Sequence, residues 1–111
     1  MATVDQCRAA LQEVAARLRA HPEAARQVDL DRSIACHIRD LDVHFHGRLT
    51  QGTIVDLTDG DDPRADIRLT VTSDDLLALV AGELSFAKAW ATGRVSVRAS
   101  FRDLLKLRQL V

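Results

Sequence analysis

The spacing of apolar residues changes twice along this chain. Over residues 4–19, Val4, Cys7, Leu11, Val14 and Leu18 recur at steps of three and four, which sets them on one stripe of an α-helix. Arg8, Gln12, Arg17 and Arg19 fall largely on the other side, and Asp5 in the first turn with Arg17 and Arg19 in the last complements the helix dipole. Pro22 stops the pattern, and residues 22–27 make one further turn or a loop. A stripe of this width belongs to a helix that packs on something else.

From Ser33 the period drops to two. Ile34, Cys36 and Ile38 alternate with Ala35, His37 and Arg39; beyond a turn at 40–42, Val43, Phe45 and Leu49 alternate with His44, His46 and Arg48. This predicts an antiparallel hairpin with one apolar face. Gly52 marks the next turn, and residues 53–57 form a third strand in which Ile54, Val55 and Leu57 are apolar on both faces in places. The run of turn formers at 58–63 ends it. Ala65, Ile67, Leu69 and Val71 then alternate with Asp66, Arg68, Thr70 and Thr72 as a half-buried fourth strand.

At Ser73 the helical period returns. Ser73 is placed as an N-cap, Asp74 and Asp75 sit where the dipole favours them, and Gly82 is placed to end the helix in the left-handed conformation. Ser85 caps a second short helix with Phe86, Ala89 and Trp90 on one face and Gly93 as its terminator. Val95, Val97 and Ala99 alternate with Arg94, Ser96 and Arg98 as a fifth strand, and Ser100 with Asp103 imitates a capping box for a last, leucine-rich helix. Strands followed by helices and a returning strand indicate α+β. A chain of 111 residues, 47% apolar, fits one domain with a single core. Its segments are 1–29 (helix and connection), 30–72 (four strands) and 73–111 (helices, fifth strand, last helix).

Charge narrows the function classes. Fifteen Lys and Arg nearly balance sixteen Asp and Glu, so no long-range field draws in nucleic acid or an acidic membrane. Almost all the cations are Arg and the small residues are mostly Ala, which suggests a GC-rich, bacterial coding sequence. Cys7 and Cys36 have no paired spacing and read as small buried hydrophobes in a reducing cytoplasm. The N-terminal residues lack the pattern of a signal peptide, and no stretch approaches the roughly 20 apolar residues of a membrane span, so no integral membrane association is expected.

Candidate chemistry is sparse. His37, His44 and His46 share one sheet face, a pattern that in principle holds Zn²⁺. They lie opposite Val43 and Phe45, however, with no carboxylate ligand forced upon them, so solvent-facing strand residues are the simpler reading and no metal is expected. Asp59, Asp61 and Asp62 read as turn formers, and Asp74 and Asp75 as helix-start charges. Neither a nucleophile elbow nor a glycine-rich phosphate loop is present, so no catalytic residue, no cofactor and no enzyme activity are expected.

The run from Gly82 to Leu107 resembles the most recognisable segment of the sterol carrier protein type two family of lipid-transfer domains. The shared features are the acid-started helix ending in Gly82, the triplet Lys88-Ala89-Trp90, Gly93 ahead of the alternating strand, and the leucines 104, 105 and 107. The likeness extends over the fourth strand and, loosely, back to about Leu30. Ala99 stands where family members often have Gly, and the sequence stops at Val111 without the segment that helps cover ligand in some members.

The resemblance implies a five-stranded mixed sheet with helices packed on one face and an apolar cavity between them. It implies non-enzymatic binding, and transfer, of a fatty acid, acyl-CoA or sterol-like lipid. Leu76, Val80, Phe86, Trp90, Leu104, Leu105 and Leu107 are the expected pocket residues. The last helix carries apolar residues over more than half its circumference, and these face a lipid, a second subunit or a filled core. The alternative function is therefore a lipid-free module that homodimerises, or docks to an enzyme, through its C-terminal helices.

Overall fold

The computed structural model describes residues 2–20, 31–50 and 53–108; the expected turn at Gly52 and the segment 22–27 lie outside them. In chain order the elements are α1 (Val4–Ala20), β1 (Arg32–Ile38), β2 (Val43–Thr50), β3 (Thr53–Asp59), β4 (Ile67–Val71), α2 (Ser73–Val80), α3 (Phe86–Ala91), β5 (Ser96–Arg98) and α4 (Phe101–Arg108). The strands form one sheet in the order β3-β2-β1-β4-β5. Only the β1–β4 pairing is parallel, so the sheet is mixed and the fold is α+β.

Register decides which residues face the helices. Cys36 stands opposite Phe45 on one side and Leu69 on the other, and Ile38 opposite Val43 and Val71. These residues form one core cluster with Cys7 and Ala10 of α1 and Leu76 and Val80 of α2. The helices therefore cover a single face. The other face carries the alternate set, including His37, His44 and Arg68.

β3 explains why its alternation is imperfect. Its register against β2 shifts between His46 and Arg48, where β3 carries an extra residue, and Asp56 adopts a left-handed φ of 56° there. The bulge reverses the parity, so that Ile54 and Leu57 both turn towards the core side. Gly47 lies across from it, and a Cβ at that position would sit 2.9 Å from the carbonyl oxygen of Val55.

Both short helices end as their glycines predict. Gly82 and Gly93 have φ of 79° and 81°, and the following amides of Glu83 and Arg94 donate to the carbonyls of Ala78 and Ala89. Ser85 caps α3 by accepting from the Lys88 amide. At α2 the cap is one residue earlier than expected: Thr72 Oγ1 accepts from the Asp75 amide.

Ser73 is displaced from capping because other groups claim it. Its hydroxyl donates to Asp40 Oδ2 and accepts from the Ala2 amide, while its own amide donates to Asp40 Oδ1 at 2.8 Å. Fully buried, it joins the β1–β2 turn, the N-terminal residues and α2. The Ser73 hydroxyl and then the Ser73 amide hold the Asp40 carboxyl below its usual value of 3.8. A depressed carboxylate pKa stabilises the fold above the unfolded value, and that contribution is lost as pH falls through the folded one. Ser73→Ala is expected to lower stability at pH 7 by about 1–3 kcal/mol through the orphaned buried amide of Ala2. It is also expected to flatten the loss of melting temperature between pH 5 and pH 2, as read by thermal melts across that range.

Candidate functional site: an apolar cavity under the first two helices

Between the helices and the sheet lies a cavity of about 510 Å³, lined almost wholly by apolar side chains. Its floor is Ile34 and Cys36 of β1, Phe45 and Gly47 of β2, Ile54 and Leu57 of β3, and Leu69 and Val71 of β4. Leu11 and Val14 of α1 and Leu76, Leu79 and Val80 of α2 close it from above, with Phe86 and Val95 at one end. Gly47 contributes to this space by having no side chain at a point where a Cβ would meet the β3 bulge.

Polar groups at the cavity are already engaged. Arg17 borders it, but its guanidinium donates to the carbonyl of Val80 at the C-terminal end of α2 and pairs with Glu13 one turn back. That contact ties the two roofing helices together and places a cation where the α2 dipole favours it. Burial, and secondarily the nearby Cys7, push the Cys36 thiol up to about 12. It therefore stays protonated near neutral pH and is no nucleophile. Arg8 pairs with both Asp5 and Asp59, which anchors α1 to the end of β3 and draws the Asp59 carboxyl below its usual range.

The seven expected pocket residues divide. Leu76, Val80 and Phe86 line the cavity, and Trp90 stands beside it with its ring edge-on to Phe86 at 5.9 Å. Leu104 and Leu105 of α4 are not part of the lining; Leu104 is half-buried and Leu105 exposed. The side chain of Leu107 lies outside the described residues. In place of Leu104 and Leu105, α1 supplies Leu11 and Val14. The one-sided stripe of α1 was the signal for this role, since it had to cover something.

The position of α4 has a local cause. Arg32, opposite Leu49 at the start of β1, donates through Nε to Asp103 Oδ2 at 3.0 Å, and Asp103 is 3% exposed. This pair fixes α4 at the far end of the sheet, beside a smaller cluster built on Leu49 and Ile67. Ser100 accepts from the Asp103 amide, as its position predicts.

The histidines share a face but not a ligand sphere. His37 and His44 stack with centroids 4.3 Å apart and planes 5° from parallel, and His37 Nε2 lies 3.1 Å from Asp42. His46 Nδ1 donates to the carbonyl of Gly60. Among the described residues no three His, Cys, Asp or Glu side chains converge as a metal site.

The sequence profile of the family described as "Alkyl sulfatase C-terminal" matches residues 3–111. No curated protein matches the sequence. Among solved structures, sterol carrier protein 2-like 2 of Aedes aegypti is 19% identical with a TM-score of 0.69, over 96% of this chain and 97% of that one. The same protein in palmitated form is 18% identical with a TM-score of 0.68, over 98% and 94%. The stereoselective inverting sec-alkylsulfatase Pisa1 of a Pseudomonas species is 22% identical with a TM-score of 0.63, over 87% of this chain. This chain spans 14% of the length of that enzyme. The sterol-carrier resemblance thus holds as a shared fold over nearly the whole chain.

Proposed function

The chain belongs to the alkyl sulfatase C-terminal family, and we propose that it is a non-catalytic binding domain for a long-chain amphiphile, a fatty acyl or sterol-like molecule or an alkyl sulfate. The observation that carries this is the 510 Å³ cavity, which falls within the roughly 300–1,000 Å³ usual for small-molecule sites. Burying a methylene is worth about 0.8 kcal/mol, so a long alkyl chain brings about 10 kcal/mol before association costs of several kcal/mol. Dissociation constants of the order of tens of micromolar follow from burial alone. The palmitated state of the Aedes aegypti protein supports an alkyl chain as occupant. Cys7 and Cys36, both free and buried, support the cytoplasmic setting expected from the sequence.

A second reading rests on the length of Pisa1, of which this chain matches 14%. In it the domain works beside a catalytic unit and holds the alkyl tail of that unit's substrate, or docks to it without ligand. Native mass spectrometry of the purified chain, with displacement of a fluorescent fatty acid by dodecanoate, dodecyl sulfate and a sterol, separates these. A bound amphiphile and competitive displacement are expected, and preference for dodecyl sulfate favours the enzyme-associated form. No bound lipid and no probe uptake would sink the cavity reading. A lipid-free dimer by light scattering would favour the interaction module.

A further inference from the structure

The apolar cavity has one charged corner. Of the described residues that line it, Arg17 alone carries a fixed charge and Arg17 alone is exposed, with 54% of its side chain open to solvent. The space therefore reaches water beside that guanidinium. His46, which also borders the cavity, gives its Nδ1 to the carbonyl of Gly60. Two contacts fix where the guanidinium stands. Nη1 donates to the carbonyl of Val80, itself a cavity residue, which pins the group at the rim. Nη2 donates to Glu13 Oε1 at 2.6 Å across one helical turn, and the Glu13 side chain is 53% exposed. A guanidinium has five N–H donors, and these two contacts occupy two of them. The pair with Glu13 is a surface salt bridge, a class that contributes little to stability. An incoming anion can take the place of Glu13 at small cost while the Val80 contact stays intact.

We propose that Arg17 receives the headgroup of the ligand, so that the cavity selects anionic amphiphiles, carboxylates or sulfate esters, over neutral alcohols and sterols of similar apolar bulk. The proposal rests on the cavity reading and adds to it the class of ligand and the end at which its polar group lies. The planar fork of a guanidinium matches the oxygens of a carboxylate or a tetrahedral oxyanion with two parallel, charge-assisted hydrogen bonds. A hydroxyl offers a single neutral oxygen to the same fork. The C-terminal end of α2 at Val80 repels any uncompensated anion, which makes Arg17 the place at that rim where a negative headgroup settles. The tail then runs inward from Val80 along Leu76 and Leu79.

The test is displacement of an uncharged fluorescent probe, 1-aminoanthracene, by decyl sulfate, decanoate and decanol, which share one tail length. Both anions are expected to compete about tenfold more tightly than decanol, and the ratio is expected to narrow as salt is added. Arg17→Gln is expected to bring that ratio below about twofold. Arg17→Lys keeps the charge and loses the fork, and is expected to hold it at about threefold. Glu13→Gln removes the competing carboxylate and is expected to widen it about twofold. Either anion in the lead supports the proposal, and the order of the two tells a carboxylate from a sulfate ester. Equal displacement by all three, or a ratio that Arg17→Gln leaves intact, overturns it while decanol binding keeps the cavity reading. Failure of the probe and of all three competitors to bind removes both. Because the ratio is read within one protein, a variant that loses stability still reports on Arg17, and decanol displacement shows that its cavity is formed.

Discussion

Leu79→Trp is expected to weaken binding of a fatty-acid probe roughly ten- to twentyfold without lowering the melting temperature. Leu79 sits on α2 and lines the cavity, so a larger side chain there extends into the space the alkyl chain would occupy. An indole that displaces about two methylenes of ligand removes about 1.6 kcal/mol of burial, which is the stated factor. The stability measurement carries equal weight. Inserting bulk into a filled core costs about 1–3 kcal/mol, whereas filling an existing space stabilises by about 0.5–2 kcal/mol. Probe titration and thermal denaturation of the same variant therefore distinguish an open pocket from a closed core. A clear drop in melting temperature with unchanged probe affinity would remove Leu79 from the pocket wall.

Arg32→Leu is expected to destabilise the protein by about 2–3 kcal/mol, while Arg32→Leu combined with Asp103→Leu recovers most of the loss. Asp103 is almost fully buried, its Oδ2 depends on Arg32, and its Oδ1 has no hydrogen-bond partner among the described residues. Removing the arginine leaves an uncompensated carboxylate inside the protein, which typically costs about 3–5 kcal/mol; the partial exposure of Arg32 lowers the figure. Removing both charges leaves an apolar contact between α4 and the sheet, which is often neutral. Urea unfolding of the two single variants and the double variant supplies the cycle. Additive effects would show that the pair does not hold α4 in place. Probe affinity in the double variant is expected to match the original, because neither Arg32 nor any described side chain of α4 lines the cavity.

The pairing of Arg32 with Asp103 also marks where sequence pattern lost its reach. Leu104, Leu105 and Leu107 read as an apolar surplus in search of an occupant, and their spacing says nothing about which end of the sheet the helix covers. A salt bridge across 71 residues of sequence separation decides that. The bulge in β3 was visible only as alternation that failed, because which strand absorbs the extra residue depends on its pairing with β2. Ser73 was legible as a helix-start residue, yet its hydroxyl serves Asp40 and Ala2, which approach only once the chain has folded. Leu11 and Val14 carried no sign of a ligand beyond their one-sided stripe.

Sequence alone determined the element order, the α+β class, the sterol-carrier resemblance and the ends of the short helices. Each depends on local chemistry: a period of two or 3.6, a serine that caps, a glycine that accepts positive φ. Tertiary structure decided that α1 and α2 roof a half-open space of about 510 Å³ over the sheet, and that the described side chains of α4 lie outside it with Phe101 in solvent. The physical reason is that apolar pattern specifies which side of an element leaves water. Whether that side meets a side chain, a cavity or a neighbouring surface is set by strand register and long-range ion pairs.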